Sequence, residues 1–280
     1  MNPCPVCASP TRELRLSRTT DREYRLHRCT ACGTAWAFPR PTEQDLADFY
    51  GAAYFTADTG FGYGDYDGAS WAGVQAVRAW DELHEWAPEI EGVSSRRLLD
   101  VGAATGEFAL RAQADGWEAV ACEVGDTARE AARAKGLTAV ATIDEAPGAF
   151  GVISMYHVLE HLIDPLAVLR LARRAVAPDG YLVIELPQWH SAGRIVRRSA
   201  WAQFRPPEHI NFFSRRSLAT TLGLAGWEVV HSSTPYPHAG RLAVDAARRG
   251  RLREAGEQSA KWALGRAGLG GYLRTVARPV

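Results

Sequence analysis

Apolar positions come in short runs from residue 96 onward, and segments with helical spacing separate these runs. The runs have the length of buried strands and contain few charges. We predict strands at 98–101, 117–122, 137–140, 150–155, 181–186 and 227–231. Helices are predicted between them at 107–114, 127–136, 165–176 and 214–224. This alternation predicts an α/β fold, with a doubly wound, mostly parallel, Rossmann-like sheet and helices on both faces.

The segments that flank this pattern differ from it. One of them is helical and aromatic, with an apolar stripe along 71–86 and a stretch rich in glycine and tyrosine at 61–68. An insertion at about 187–213 follows the fifth strand, and we expect it to cover the substrate. The predicted divisions are a small cysteine-containing module (1–38), a helical, aromatic lid region (39–90), the sheet domain (91–240) and a basic helical tail (241–280).

The charge balance disfavours nucleic acid as a partner. The chain has 280 residues with 32 basic and 32 acidic side chains, so its formal net charge is zero. A nucleic-acid binder usually carries a basic excess, so nucleic acid is not the expected partner. We find neither an export signal nor an apolar run of membrane-spanning length, which predicts a cytoplasmic protein. The tail has nine basic and three acidic residues and is predicted to be a solvated helix, with docking on a protein partner as the alternative.

Four of the five cysteines form two pairs with a two-residue spacer, Cys4 with Cys7 and Cys29 with Cys32. Such a spacer lets both thiolates of a pair face one ion, and two pairs give a tetrahedral set of four sulfurs. Two disulfides in a secreted domain are one alternative, and four unrelated thiols are another. Because cysteine fills all four positions, we predict a closed, structural zinc site rather than a catalytic one.

A candidate nucleotide site lies where the first predicted strand of the sheet ends. This strand leads into a turn with Gly102 and Gly106, which let the backbone approach a ligand closely. Ligands of open α/β sheets bind at such strand ends, and Glu123 ends the next strand, where a carboxylate accepts hydrogen bonds from ribose hydroxyls. A dinucleotide fingerprint would have glycine at Ala104 and Glu107. The site therefore suits a nucleoside without phosphates better than NAD.

The same turn, Asp100-Val-Gly-Ala-Ala-Thr-Gly106, resembles the first motif of class I S-adenosylmethionine-dependent methyltransferases, D-x-G-x-G-x-G. Further segments look like later motifs of that family in the same order: Val158-Leu-Glu-His-Leu-Ile-Asp-Pro165, Ala177-Pro-Asp-Gly180 and Glu208-His-Ile-Asn-Phe-Phe-Ser214. The last segment and the four cysteines are similar to a subfamily with an N-terminal zinc module. That subfamily includes sugar and other natural-product methyltransferases, and the resemblance spans about residues 4–232.

The resemblance implies S-adenosylmethionine as the cofactor and assigns residues to its parts. It implies that the turn lines the methionine moiety, that Glu123 holds the ribose and that Val124 and Ile143 flank the adenine. It also implies that Met155 and Tyr156 lie near the sulfonium, and two tyrosines of the lid region are expected to close over the cofactor. The expected cofactor residues are Tyr63, Tyr66, Asp100, Gly102, Ala104, Gly106, Glu123, Val124, Ile143, Met155 and Tyr156.

Methyl transfer to a hydroxyl or a carbon acid requires removal of a proton, which histidine accepts at neutral pH. We predict His209 as the general base, oriented by Glu208, because this pair lies in the insertion above the sheet edge. The resemblance agrees, since the matching pair in sugar C-methyltransferases is implicated in proton chemistry. His157 and Tyr156 are the next candidates. The other Glu-His pair, at 160–161, is expected to be structural or positioning.

Together, these features predict an S-adenosylmethionine-dependent methyltransferase acting on a small molecule. A natural-product or sugar-like hydroxyl is favoured as the acceptor over carbon or amine. One alternative is an RNA methyltransferase, since some of those also join a zinc module to this fold. The other is a catalytically inactive partner subunit that keeps the cofactor fold without turnover.

Overall fold

The computed structural model describes residues 3–20, 22–49, 71–236 and 239–280. The strands are β1 (Thr11–Thr19), β2 (Glu23–Cys29), β3 (Ala35–Phe38), β4 (Arg97–Val101), β5 (Glu118–Cys122), β6 (Thr138–Val140), β7 (Phe150–Tyr156), β8 (Val176–Pro187), β9 (Asn211–Phe212), β10 (Trp227–Ser233) and β11 (Tyr272–Pro279). The helices are α1 (Glu43–Phe49), α2 (Trp71–Trp86), α3 (Glu107–Ala114), α4 (Asp126–Ala134), α5 (Pro165–Ala175), α6 (Ala192–Arg197), α7 (Arg215–Leu224), α8 (Ala239–Arg248) and α9 (Leu252–Arg266).

Among the described residues, seven strands form a central sheet in the order β10-β11-β8-β7-β4-β5-β6. The strands from β8 to β6 are parallel, whereas β11 runs antiparallel to both of its neighbours. The chain proceeds outward from β4 in one direction and from β7 in the other, so the strand order reverses between these two strands. The predicted doubly wound, mostly parallel sheet is confirmed, and ligands of such sheets bind at the point of reversal.

Two apolar clusters pack against this sheet, and neighbouring residues of one strand divide between them. Leu98 and Val152 belong to one cluster, and Leu99 and Ile153 belong to the other. Because successive side chains of a strand point to opposite faces, each cluster covers one face of the sheet. The parallel strands are therefore buried on both faces, which explains why the sequence shows them as continuous apolar runs.

Two helix starts have side-chain caps, whereas α4, for which Thr127 and Glu130 predict a capping box, begins at Asp126 after Gly125 without a side-chain cap. The Asp164 carboxylate accepts a hydrogen bond from the Ala167 backbone N–H, and Pro165 occupies the first turn of α5. The Ser214 hydroxyl caps α7 by accepting a hydrogen bond from the Ser217 N–H. The Ser217 hydroxyl in turn accepts one from the Ser214 N–H. These caps anchor the helices that follow the carboxyl edge of the sheet.

The end of the chain differs from the predicted helical tail. Helices α8 and α9 occupy its first part, but Tyr272–Pro279 is a strand that lies between β8 and β10. Leu273, Val276 and Ala277 are fully buried there. The prediction failed because two arginines mask the strand pattern, and Arg274 is buried only because it pairs with a carboxylate on β8. The last strand is part of the sheet domain.

The cysteine-containing module also differs from the predicted separate unit. Its strands form an antiparallel sheet in the order β1-β2-β3-β9, and β9 comes from the insertion after β8. The buried aromatic side chains beneath this sheet come from both segments: Tyr24, Trp189, Trp201, Phe204 and Phe212. We call this assembly of β1–β3 and β9 the N-terminal lobe. Across the described part of the chain, no helix combines the length and the apolar character needed to cross a membrane.

Candidate functional site

The turn after β4 has the backbone conformation that its glycines allow. Gly102 and Gly106 have positive φ angles of +73° and +89°. A Cβ on Gly106 would overlap the Leu137 side chain, so this position accepts only glycine without rearrangement. Ala104 also has a positive φ, of +46°, although it is not glycine. The turn thus brings exposed backbone to the carboxyl end of β4.

Glu123 joins this turn to the end of β5. Its buried carboxylate accepts hydrogen bonds from the Ala104 N–H at 2.9 Å and from the Gly125 N–H at 2.8 Å. Burial raises the pKa of this carboxyl above its ordinary value, and the backbone donors oppose that shift. The structure therefore brings together the turn and the carboxylate that the sequence predicts for one nucleoside site.

Asp100 lies beneath the turn, inside the sheet. The Ser154 hydroxyl donates to its carboxylate at 2.7 Å. Burial raises the pKa of Asp100 from 3.8 to about 7, because ionisation in a site without water is costly. Asp100 thus sits near the point of half ionisation at neutral pH.

The other predicted cofactor residues have different environments. Val124 is 76% exposed next to Glu123, which leaves an apolar surface beside the turn. Ile143 and Met155 are buried in the same apolar cluster against the sheet. The predicted lid residues Tyr63 and Tyr66 lie outside the described residues.

His157 follows β7 and lies between two carboxylates. Its Nδ1 is 3.1 Å from Glu160 Oε1, and its Nε2 is 3.5 Å from Glu185 Oε1. Burial disfavours the charged ring, but the hydrogen bonds to Glu160 and Glu185 outweigh it and raise the pKa of His157 to about 10. A protonated imidazole cannot accept a proton, which argues against the predicted role of His157 as a reserve base.

A network of buried ion pairs extends from His157, and the sequence analysis did not predict it. Arg274 on β11 donates through Nε to Glu185 Oε2 at 2.5 Å and through Nη2 to Glu82 Oε2 at 3.1 Å. His157 and Arg274 together hold the pKa of Glu185 at about 2, despite its burial. The signal that would have revealed this network is a charged residue inside an apolar strand, as Glu185 is in β8 and Arg274 is in β11.

Tyr156 ends β7 with its ring packed against Phe108, at 5.0 Å between ring centroids. Its hydroxyl is buried and has no hydrogen-bond partner among the described residues. Burial holds the pKa of Tyr156 well above its ordinary value, so the phenol keeps its proton. An unpartnered buried hydroxyl at the carboxyl end of a central strand is a polar group for which a ligand would supply the partner.

The predicted pairing of His209 with Glu208 is not the one observed. The Glu208 carboxylate forms an ion pair with Arg205, whose Nε and Nη2 lie 2.9 and 3.0 Å from its two oxygens. His209 Nδ1 lies 2.9 Å from the Gln203 carbonyl oxygen, which only accepts, so Nδ1 carries the proton. The group that orients His209 is therefore Gln203. Burial, together with His161, holds the pKa of His209 well below its ordinary value, and its ring is neutral.

The two Glu-His pairs of the sequence meet in space. His161 and His209 pack edge to face, with ring centroids 4.8 Å apart. One ligand atom each from Glu160, His161 and His209 lies within 4.8 Å of the others, and we call these three residues the Glu160 cluster. Sequence reasoning assigned the two pairs to unrelated roles, because nothing local in the sequence shows that the insertion folds back onto the loop after β7.

The four predicted metal ligands also converge. The Sγ atoms of Cys4 and Cys32 are 3.6 Å apart, and those of Cys7 and Cys29 are 3.5 Å apart. All four thiols are free of disulfides, and all four sulfurs lie within 4.8 Å of one another. A tetrahedral zinc with Zn–S bonds of about 2.3 Å requires sulfurs roughly 3.8 Å apart, so this four-cysteine cluster fits such an ion.

Backbone N–H groups point at these sulfurs, as a site for thiolates requires. Cys29 Sγ accepts from the N–H groups of Ala31 and Cys32 at 3.3 Å, and Cys4 Sγ accepts from the Val6 N–H at 3.4 Å. Such donors stabilise negative charge on sulfur. The arrangement is that of a closed site, because no position is left for a substrate.

Comparison with known proteins gives matches over the sheet domain. A family model described as a methyltransferase domain matches residues 73–232. Ubiquinone biosynthesis O-methyltransferase from Pseudomonas aeruginosa is 26% identical, over 39% of this chain and 57% of its own length. The enzyme of the same name from Bordetella bronchiseptica is 27% identical, over 38% of this chain and 55% of its own length. The chain thus spans little more than half the length of these curated relatives.

Solved structures show the same fold. The (4+2)-cyclase SpnF superposes with a TM-score of 0.55 at 21% identity, covering 86% of this chain and 97% of its own. Magnesium protoporphyrin IX methyltransferase from Synechocystis, solved with bound SAH, gives a TM-score of 0.51 at 10% identity, covering 74% of this chain and 84% of its own. A S-adenosylmethionine-dependent methyltransferase from Mesorhizobium loti gives 0.51 at 19% identity, covering 71% and 97%.

Proposed function

Since the chain belongs to the methyltransferase domain family, we propose that it transfers the methyl group of S-adenosylmethionine to a hydroxyl of a small molecule. The observation that carries this proposal is the contact between the Glu123 carboxylate and the Ala104 N–H. That contact brings a buried carboxylate beside a glycine turn that follows a strand next to the point of reversal, which supports Glu123 as the acid that would bind the ribose. The arrangement is a cradle for a nucleoside.

The cofactor residues proposed from the sequence fit this cradle. The turn from Asp100 to Gly106 would hold the methionine moiety, and Glu123 would accept hydrogen bonds from the ribose hydroxyls. The exposed Val124 offers an apolar surface for the adenine, with Ile143 buried nearby in the core. Closure by Tyr63 and Tyr66 remains a prediction. The neighbour solved with bound SAH shares the fold and supports the choice of cofactor.

We propose that the acceptor lies beside the ends of β7 and β8, where the insertion covers the sheet. The buried Tyr156 hydroxyl, without a partner among the described residues, would meet it there. Relatives named for O-methylation in ubiquinone biosynthesis support a hydroxyl acceptor. Because the sulfonium is already a good leaving group, the protein must mainly align the acceptor and take up its proton.

The group on which proton removal depends is proposed to lie in the Glu160 cluster. The two carboxylates beside His157 raise the pKa of its ring, and burial raises the pKa of Tyr156, so both groups favour their protonated forms. His209 is the predicted candidate whose neutral ring keeps a lone pair, on Nε2, because its Nδ1 donates to Gln203. His209 is thus retained as the residue on which proton removal depends.

For the four-cysteine cluster we propose a structural zinc. The distances between its sulfurs, the backbone donors and the absence of a fifth ligand position support a closed site. Zinc bound there would link the segment before β1 to the turn between β2 and β3, and no part of the methyl transfer would pass through it.

One observation favours the alternative of an RNA acceptor. A groove between β1 and α6 is lined by arginines and by the buried Trp189. Its basic residues are Arg15, Arg28, Arg194 and Arg198. Clustered arginines suit the phosphates of a nucleic acid. Salt-dependent retention of RNA, lost when Arg15 and Arg198 are both changed to glutamine, would favour this second function.

Transfer of a labelled methyl group tests the proposal. Purified protein is incubated with S-adenosylmethionine carrying a labelled methyl, together with phenols, aliphatic alcohols, amines or bulk RNA. We expect label on a hydroxyl compound and release of S-adenosylhomocysteine in equal amount. The Gly106→Val protein controls for contaminating activity, because its side chain would overlap Leu137. Cofactor binding without any transfer would instead support an inactive partner subunit, and label on RNA alone would support the second function.

A further inference from the structure

The Glu160 cluster is a set of acceptors drawn from two distant parts of the chain. Glu160 and His161 follow β7, and His209 belongs to the insertion before β9. The side chains are well shielded: Glu160 is 2% exposed and His209 is 3% exposed. Their ligand atoms lie within 4.8 Å of one another. One carboxylate and two imidazoles in such proximity have the donor composition of a metal-binding triad.

The hydrogen bonds of the two rings fix which nitrogen is left with a lone pair. His161 Nδ1 lies 2.8 Å from the Glu208 carbonyl oxygen, and His209 Nδ1 lies 2.9 Å from that of Gln203. A carbonyl only accepts, so each Nδ1 carries a proton and each Nε2 carries the lone pair. His161 Nε2 faces Glu160, at 3.9 Å from Oε1. Histidines that bind metals hold their rings in this way, through the nitrogen that does not bind.

Glu160 supplies a second and independent observation. Its Oε1 interacts with His157, but its Oε2 is buried and has no hydrogen-bond partner among the described residues. A buried carboxylate oxygen without a donor costs stability unless something fills the gap. The loop is held in place, because the Glu160 carbonyl accepts from the N–H groups of Ile210 and Asn211 at 2.8 and 3.0 Å. The loop that carries the carboxylate is thus held in place, and the Oε2 atom lacks a hydrogen-bond donor among the described residues.

From this geometry we propose a second metal site, in which Glu160, His161 and His209 bind a divalent transition metal. Two imidazole nitrogens and one carboxylate oxygen suit zinc, manganese or iron, whereas magnesium and calcium prefer oxygen alone. Three protein ligands leave positions open, unlike the closed four-cysteine cluster. Such a metal would give the Glu160 carboxylate, whose Oε2 has no donor among the described residues, a further partner.

A role in the reaction follows, and it rests on the proposed function. A metal held by these three residues would lower the pKa of an acceptor hydroxyl beside it, so that water could take up the proton. The oxygen then attacks the methyl carbon; the C–O bond forms, the S–C bond breaks, and S-adenosylhomocysteine leaves. His209 would act here as a metal ligand, which also accounts for its burial.

Metal analysis tests the site without cofactor or acceptor. The whole chain is dialysed against micromolar zinc and then against metal-free buffer, and zinc is counted per chain. We expect about two zinc ions in the wild type and about one in Glu160→Gln and in His209→Asn. His231→Ala, which changes an exposed histidine on β10, should keep two. Binding of Mn2+ is measured by the loss of the resonance signal of the free ion. The affinity should weaken at least tenfold in the two cluster variants.

The outcomes separate the possible accounts. A folded wild type that holds only the zinc of the four cysteines and leaves millimolar Mn2+ free would overturn the proposal and favour a shared proton. Metal binding that is unchanged in Glu160→Gln would overturn it as well. If His209→Asn fails to fold by circular dichroism, Glu160→Gln, which keeps the shape of the side chain, decides the question. Failure of methyl transfer alone would contradict the proposed function but not this site.

Discussion

The N-terminal lobe and the central sheet are stabilised in different ways. The sheet buries apolar side chains on both faces, such as Leu98 on one and Leu99 on the other. Around the four sulfurs of the lobe, the buried cluster adds only Val6 and Trp36 among the described residues. Burial of apolar surface therefore supports the sheet, whereas the tip of the lobe would depend on the proposed zinc between its sulfurs. Substitution of a cysteine or removal of the metal should destabilise the lobe and leave the stability of the sheet unchanged.

The largest effect is expected on removal of the metal from the four-cysteine cluster. Structural zinc contributes about 10 kcal/mol or more in small zinc-binding peptides, so Cys29→Ser or chelation should abolish amide protection in β1–β3. Protection in β4 and β7 should stay as in the wild type. Hydrogen exchange read by mass spectrometry measures both regions at once.

Cys122→Ala is the matched control, since Cys122 is buried in β5 and lies outside the cluster. It should keep protection in the lobe. Equal protection of β1–β3 with and without metal would show that packing on the insertion is enough to hold the lobe.

The second prediction concerns the rate of methyl transfer. His209→Ala should lower methyl transfer to a hydroxyl by about 10²–10⁴-fold, the usual scale for loss of proton-transfer chemistry. Its affinity for S-adenosylmethionine should not change, because His209 contacts the insertion and not the glycine turn. Steady-state rates and calorimetry separate the two quantities. Full turnover in this variant, with His231→Ala as the control, would exclude a role for His209.

The two regions also differed in how far the sequence revealed them. The elements of the sheet up to α7 follow from local patterns, and the observed α3 has the predicted bounds. The lobe contains β9, whose two residues pair with β3 across a large sequence separation. Local periodicity carries no information on such a pairing.

The candidate site shows the same division. The contact of Glu123 with the turn was predictable, because both lie at ends of neighbouring parallel strands. The choice of Gln203 rather than Glu208 to orient His209 was not, since it depends on how the insertion folds. Arg274 was missed because its partner, Glu185, lies far away in the sequence. A charge inside an apolar strand indicates that a partner is needed, but it does not identify which distant residue supplies it.

The third prediction uses the pKa of Asp100, which burial raises to about 7. The folded chain then binds this proton more tightly than the unfolded chain does. The stabilisation of the folded chain by the proton on Asp100 is complete below about pH 4. It is lost as the pH rises through 7. Relative to Asp100→Asn, which stays neutral, the wild type should lose up to about 1.4 kcal/mol of unfolding free energy per pH unit in this window. Urea unfolding at pH 5, 6 and 7 measures the difference, and parallel curves would contradict it.

The smallest effect is expected at Ala104, whose φ of +46° is unfavourable for any residue with a Cβ. Ala104→Gly relieves a cost of about 1 kcal/mol, partly offset by the greater freedom of glycine in the unfolded chain. Ala141→Gly, in a turn without a positive φ, should only destabilise. Thermal unfolding of both variants compares them. A loss of stability in Ala104→Gly as large as in Ala141→Gly would show that the turn carries no strain.

The central claim is that the turn after β4 and Glu123 form one site for S-adenosylmethionine, and calorimetric titration with this cofactor tests it most directly. Glu123→Ala should weaken binding by roughly 1.5–3 kcal/mol, or about ten- to 150-fold, since charged hydrogen bonds are lost. Glu118→Ala, at the exposed opposite end of the same strand, should bind as the wild type does. Equal affinity in Glu123→Ala and the wild type would contradict the account.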